Sequence, residues 1–128
     1  MADTIVDSSL VIDYLRGRSE AAGFLDAARE SQCLSTHVVV VAEVLSGARD
    51  RREQDTIQRF FSEFRIHLID PQDAQRSVDL LTRHRLSHGV GWLDCLIAAT
   101  ALRLQSPIAT LNDKHFAAFE NLTVDRPY

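Results

Sequence analysis

Short aliphatic or β-branched runs alternate along this chain with longer stretches in which apolar residues recur every three or four positions. Thr4 to Val6 is the first such run, and Ser8 or Ser9 then offers an N-cap for a helix carrying Leu10, Val11, Tyr14 and Leu15, ending near Gly17. Ser19 to Arg29 reads as a second helix, Cys33-Leu34-Ser35 as a short buried strand, and Thr36 as the cap of a helix running to about Ala48. The valine run at 38–41 favours strand by propensity, so this helix is expected against local preference. Charged Arg49 to Asp55 leads into an amphipathic segment with Ile57, Phe60, Phe61 and Phe64. Ile66 to Ile69 is the third expected strand, and Asp70-Pro71 opens a helix with proline in its first turn that carries Ala74, Val78 and Leu81. Ser87 to Gly91, polar and glycine-bearing, reads as a loop, followed by a strongly apolar helix from Trp92 to Leu104 that Ser106-Pro107 stops. Ile108 to Leu111 is a fourth strand, Asp113 to Phe119 a short helix and Leu122 to Val124 a last strand.

Strands separated by helices of this length predict βαβ units. The expected class is α/β, three-layered, with a mainly parallel central sheet of about four to five strands flanked by helices. In such sheets ligands sit beyond the carboxyl ends of the strands, where Asp7 and Asn112 fall. At 128 residues and 45% hydrophobic, the chain is expected to be one domain, residues 1–128, with a sizeable core. It begins with no basic segment followed by an apolar run and a small-residue cleavage site, and its longest apolar stretch, Val38 to Ala42, is too short to span a bilayer. A cytoplasmic protein without membrane contact is expected. Cys33 and Cys95 have no C-x-x-C or zinc spacing and read as reduced packing residues.

Composition adds one restriction and leaves one possibility open. The net charge of −4 argues against a broadly basic nucleic-acid surface, yet Lys114 is the only lysine, so the cations are nearly all arginines able to grip phosphate bidentately. Against this background four acidic or amide-bearing segments stand out. Asp7 follows Thr4-Ile5-Val6, Glu43 follows Val38 to Ala42, Asp94 precedes Cys95-Leu96-Ile97-Ala98-Ala99, and Asn112-Asp113 sits between Thr110-Leu111 and Lys114-His115-Phe116. Carboxylates in apolar surroundings need a counter-charge, and a shared hard cation such as Mg²⁺ supplies one. Asp7 also fits a helix cap, and Asp94 a first-turn acid favoured by the helix dipole. Glu43 is harder to dismiss, since Val39, Val40, Ser46 and Gly47 around it on a helix turn it partly inward.

These segments resemble a known family. Asp7-Ser8-Ser9 followed by Val11-Ile12-Asp13-Tyr14-Leu15, helical Val41-Ala42-Glu43-Val44-Leu45-Ser46-Gly47, helical Asp94-Cys95-Leu96-Ile97-Ala98-Ala99-Thr100-Ala101, and Thr110-Leu111-Asn112-Asp113-Lys114-His115-Phe116 are together similar to a PIN-domain nuclease. Within that group the chain resembles the VapC-type ribonuclease toxins of prokaryotic toxin–antitoxin pairs, over nearly its whole length. The resemblance implies a PIN-like fold, cleavage of RNA of the tRNA or rRNA class, and Mg²⁺ or Mn²⁺ held by Asp7, Glu43 and Asp94. It places Asn112 among the catalytic residues, with Ser9, Thr110, Asp13 and Asp113 in support. The closing motif departs from the family pattern, because His115 stands where a last aspartate is common. A cognate VapB-type antitoxin and homodimers are implied as partners, with part of the dimer surface on the helix of Leu80 and Leu81.

A metal-bound water attacking a phosphodiester, with a carboxylate accepting its proton, is the chemistry such residues suit. Ile57, Phe60, Phe61 and Phe64 offer more aromatic surface than one sheet face needs, which predicts that this helix and the one before it form a partly exposed groove for an apolar antitoxin segment. His37 and His115 read as packing or surface histidines. Two other classes remain in view: a receiver-like signalling domain, with acids at strand ends and Lys114 after a late strand, and a catalytically silent PIN-like binding module.

Overall fold

The computed structural model describes residues 3–128. Five strands, β1 (Thr4–Val6), β2 (Leu34–His37), β3 (Arg65–His67), β4 (Ile108–Ala109) and β5 (Val124–Asp125), form one sheet in the order β3-β2-β1-β4-β5, with every pairing parallel. Among the described residues the helices are α1 (Ser8–Leu15), α2 (Ser19–Glu30), α3 (Val38–Ser46), α4 (Arg51–Phe61), α5 (Pro71–His88), α6 (Trp92–Leu104) and α7 (Asp113–Phe116). Helices α1 to α4 pack against one another, as do α5 to α7, giving the expected layers about the sheet. The sequence direction reverses between β1 and β4, the switch point at which doubly wound sheets bind ligands.

The sheet's centre is apolar on both faces, with Ile5, Val6, Ile108 and Ala109 all at 0% exposure. Helix α6 is buried from Cys95 through Ala101, as its continuous apolar run requires. Local chemistry sets the helix ends. Asp50 accepts from the Glu53 N–H at 2.9 Å while Glu53 accepts from the Arg49 N–H at 2.9 Å, a reciprocal N-terminal clasp. Asp70 caps α5 ahead of Pro71, and Gly89 ends it at φ 68°, a left-handed turn that glycine adopts without strain.

Several expected boundaries move. The cap of α3 is His37, whose Nδ1 accepts from the Val39 N–H at 3.2 Å, because the Thr36 hydroxyl is taken by the Val6 carbonyl at 2.7 Å. The valine run is helical, with Val40 and Val44 one turn apart on the buried face. Strand β3 stops at His67, opposite His37, so Leu68 and Ile69 have no strand beside them and lie exposed. Helix α5 continues through the expected loop to His88. Among the described residues no helix is long and apolar enough to cross a membrane.

The aromatic groove expected on α4 is not present as such. Ile57, Phe61 and Phe64 are 6%, 2% and 7% exposed and belong to the main core, and partly buried Phe60 stacks on Tyr14 with ring centroids 4.7 Å apart. One amphipathic helix needs this much aromatic surface because its ring cluster fills the space between α1 and α4. Leu80 is likewise core at 7%, whereas Val78 and Leu86 on the same helix are exposed.

Candidate active site

Asp7 ends β1 at the N-cap position of α1, yet its side chain makes no cap bond. Its carboxylate turns across the sheet edge and accepts from the Thr110 hydroxyl at 2.8 Å and the Ser9 hydroxyl at 3.4 Å. Ser9 in turn accepts from the Leu111 N–H at 3.0 Å, and Thr110 from the Asn112 N–H at 2.9 Å. Two hydroxyls thus stitch the carboxyl ends of β1 and β4 together around one acid that is only 5% exposed.

Glu43 stands on α3 and is exposed as a residue; its carboxylate tip meets the Ser8 hydroxyl at 3.3 Å. Burial of that tip and then the charge of Asp7 raise its pKa above the ordinary value, against the bond from Ser8, with Asp94 adding a further push. Asp94, in the first turn of α6, is raised by burial and by Asp7, against the pull of His115 and a backbone hydrogen bond from Gly91. Asp7, Glu43 and Asp94 therefore face one another closely enough to repel, and none has a Lys or Arg partner among the described residues. The nearest basic group is His115, with Nδ1 3.6 Å from the Asp94 carboxylate. As they stand, no three His, Cys, Asp or Glu side chains among the described residues are arranged to hold a metal ion.

The other expected residues divide. Ser9 and Thr110 lie against Asp7. Asn112 is exposed on the loop beside them and caps nothing with its side chain. Asp113 is engaged outward, in an ion pair with Arg126 at 3.1 Å. Asp13 accepts from the Tyr128 hydroxyl at 2.8 Å, and burial followed by that bond pushes the phenol up to about 12, so this acid serves to hold the C-terminal residue. Ser8 was not singled out as a site contact, and His115, noted where a last aspartate is common but read as a packing or surface residue, reaches Asp94 instead. Ser8 adjoins Asp7 in sequence, which was a usable signal, whereas nothing local ties His115 to Asp94.

A groove of about 830 Å³ opens between α1, α3 and α4. Glu43 lies on its wall, with Ile12, Leu15 and Ile57 as apolar lining and Arg16, Arg49 and Arg52 as cations. Of the four residues expected to line a partner groove, only Ile57 does so.

The strand order excludes the receiver-like alternative, whose doubly wound sheet runs 2-1-3-4-5. Comparison with known proteins agrees with the PIN-domain resemblance instead. The model of the PIN domain matches residues 4–122. The chain is 40% identical over 121 residues to Ribonuclease VapC10 of Mycobacterium tuberculosis, covering 92% of this chain and 89% of that protein. Ribonuclease VapC19 of the same organism is 32% identical over 120 residues, covering 92% and 95%. Among solved structures, a toxin-antitoxin complex from Klebsiella pneumoniae aligns with TM-score 0.77 and 27% identity over 99% of this chain and 98% of that one. DNA-bound VapBC from Salmonella typhimurium aligns with TM-score 0.84 at 16% identity over 100% of both chains, a likeness of fold. By fold, by edge residues and by these matches, the chain belongs to the PIN-domain family, on its VapC branch.

Proposed function

We propose that this chain is a metal-dependent endoribonuclease toxin of the cytoplasm, which stops translation by hydrolysing RNA of the tRNA or rRNA class and is neutralised by a cognate VapB-type antitoxin. Asp7, Glu43 and Asp94 are its proposed metal-binding acids, with Asn112 beside the substrate and Mg²⁺ or Mn²⁺ as the ion. The observation that carries this reading is the meeting of three mutually repelling carboxylates, without a Lys or Arg partner, at the switch point of a parallel sheet. The names of the M. tuberculosis relatives support the ribonuclease, and the K. pneumoniae complex supports the antitoxin.

The donor set suits a hard divalent ion, because oxygen ligands carrying uncompensated negative charge are what Mg²⁺ and Mn²⁺ take. Such an ion, when bound, lowers the pKa of a coordinated water and offsets charge on the attacked phosphate. The protein's own part is positional. Thr110 and Ser9 hold Asp7 in place, and Ser8 steadies Glu43. A carboxylate of this set not taken up by the ion would stand close enough to accept a proton from the attacking water. The Cys95 thiol offers no covalent route, since burial and then Asp94 push it up to about 11.

The antitoxin's seat is better assigned to the groove beside Glu43 than to the α4 aromatics. Its apolar floor and mixed rim suit an amphipathic segment whose basic side chain reaches the acids. Incubation with total RNA tests the enzyme. Cleavage should require Mg²⁺ or Mn²⁺, stop with chelator, and be lost in Asp7→Asn and Asp94→Asn while circular dichroism is unchanged. Undiminished cleavage by either folded variant would refute the assignment.

A further inference from the structure

We propose that Arg16 and Arg52, on the rim of the groove beside Glu43, grip phosphates of the RNA strand that leads to the three acids. This rests on the reading of the chain as a ribonuclease and needs no bound cation. The groove lies between α1, α3 and α4 and meets the acids at Glu43, whose carboxylate feels the charges of Asp7 and Asp94. Along α1 its lining runs through Ile12 and Leu15 to Arg16, the C-cap residue, about 13 Å of helical rise beyond Asp7 at the N-cap. A strand lying in this groove therefore passes Arg16 on its way to the acids.

The charges of the groove are not equally available. Arg49 is spent on Glu53, with Nη2 2.7 Å from the carboxylate, and Asp50 caps α4 by accepting from the Glu53 N–H at 2.9 Å. Arg16 and Arg52 are exposed and form no ion pair among the described residues, so their guanidinium donors are open to phosphate. The balance of charge makes such a grip necessary. The chain carries −4 overall and three clustered acids that repel a polyanion, so cations beside those acids have to supply the attraction. Phosphate contacts fix a strand's position without reading its bases, so the grip is independent of sequence. The apolar floor of Ile12, Leu15 and Ile57 offers a phosphate nothing. A protein segment laid on that floor would shut the rim, and RNA and antitoxin then exclude one another in this groove.

Fluorescence anisotropy of two labelled single-stranded RNAs of unrelated sequence, titrated with the whole chain in excess chelator, separates binding from cleavage. Arg16→Gln and Arg52→Gln should each weaken binding severalfold, by the same factor on both RNAs, and each should lower the slope of log affinity against log salt by about 0.7. Arg76→Gln, which removes an exposed and unpaired arginine of α5 outside the groove lining, should change neither quantity. Unchanged affinity and salt slope in the double variant of Arg16 and Arg52 would overturn the proposal, leaving the groove to the antitoxin alone and the ribonuclease reading intact. An equal loss in Arg76→Gln would overturn it too, by spreading the attraction over the whole surface, as would a loss confined to one RNA, which would make the arginines readers of bases. Wild-type protein that binds neither RNA in chelator would also overturn it. If that protein fails in addition to cleave total RNA with Mg²⁺ or Mn²⁺, the ribonuclease reading falls with it.

Discussion

Asp73 and Asp94 lie on adjoining helices, α5 and α6, and their surroundings are opposite. Asp73 is 1% exposed and fully matched: Arg103 donates to both carboxylate oxygens, at 2.9 Å each, and the Thr100 hydroxyl donates at 2.9 Å. Burial pushes its pKa up, but the bonds from Arg103 and Thr100 more than reverse this and hold it below the usual range. Asp94 is more open, has only His115 nearby, and is raised by burial and by Asp7. The better-buried acid is thus the more comfortable one. A matched carboxylate holds two helices together, whereas a cluster of unmatched carboxylates is a candidate for binding a counter-charge.

The sharpest way to separate the two regions is to remove one charge from each. Asp94→Asn is expected to lower RNA cleavage at least about a thousandfold, roughly 4 kcal/mol of transition-state stabilisation, in a protein that still folds. Single-turnover rates on a defined RNA would measure this, and a loss below tenfold would put Asp94 outside the reacting site. Arg103→Leu should instead leave Asp73 buried and unpaired, lowering unfolding free energy in urea by about 3 kcal/mol. The double replacement Asp73→Leu with Arg103→Leu should recover most of that loss, since the pair's worth lies in being complete.

Without metal, Asp94→Asn should raise stability by up to about 1 kcal/mol, because it relieves repulsion from Asp7 in a partly solvated setting. A saturating divalent ion should cancel or reverse that gain, since the proposed site would bind it well only with Asp94 in place. The smallest effect is on pH dependence. Glu43 and Asp94 hold protons more tightly when folded than their ordinary values of 4.5 and 3.8 allow, so they make the metal-free protein lose stability as pH rises from those ordinary values to the raised folded ones. Asp73 acts the other way: its contribution is present above 3.8 and is lost as pH falls below it. His37, lowered from 6.5 to about 4 by burial, adds a loss of stability as pH falls between those values. The stability difference between Asp94→Asn and wild type isolates one group, and it should grow as pH rises from about 4 before levelling off. A difference that stays flat would remove Asp94 from the repelling set.

Much of the fold was legible because its signals are local. Strand β1 and helix α6 fall at the expected residues, since a β-branched triplet and an uninterrupted apolar run stopped by Ser106-Pro107 admit few other readings. Helix α3 was anticipated despite its valines, but its cap was misplaced by one residue because a hydrogen bond from Thr36 to Val6, thirty positions away, is invisible locally. The α4 aromatics were read as a docking face because a helical pattern shows which residues share a side, and not whether Tyr14 waits there.

The order of elements and the residue types at the strand ends are properties of the sequence by itself, because hydrophobic period and turn chemistry act over a few neighbouring residues. Which acids are matched and which are left facing one another was decided only by the tertiary structure. Asp7 meets Thr110 from 103 positions away, and Asp73 meets Arg103 from 30 positions away. A carboxylate's comfort depends on charges and donors within a few ångströms, and the chain brings those neighbours together only by folding.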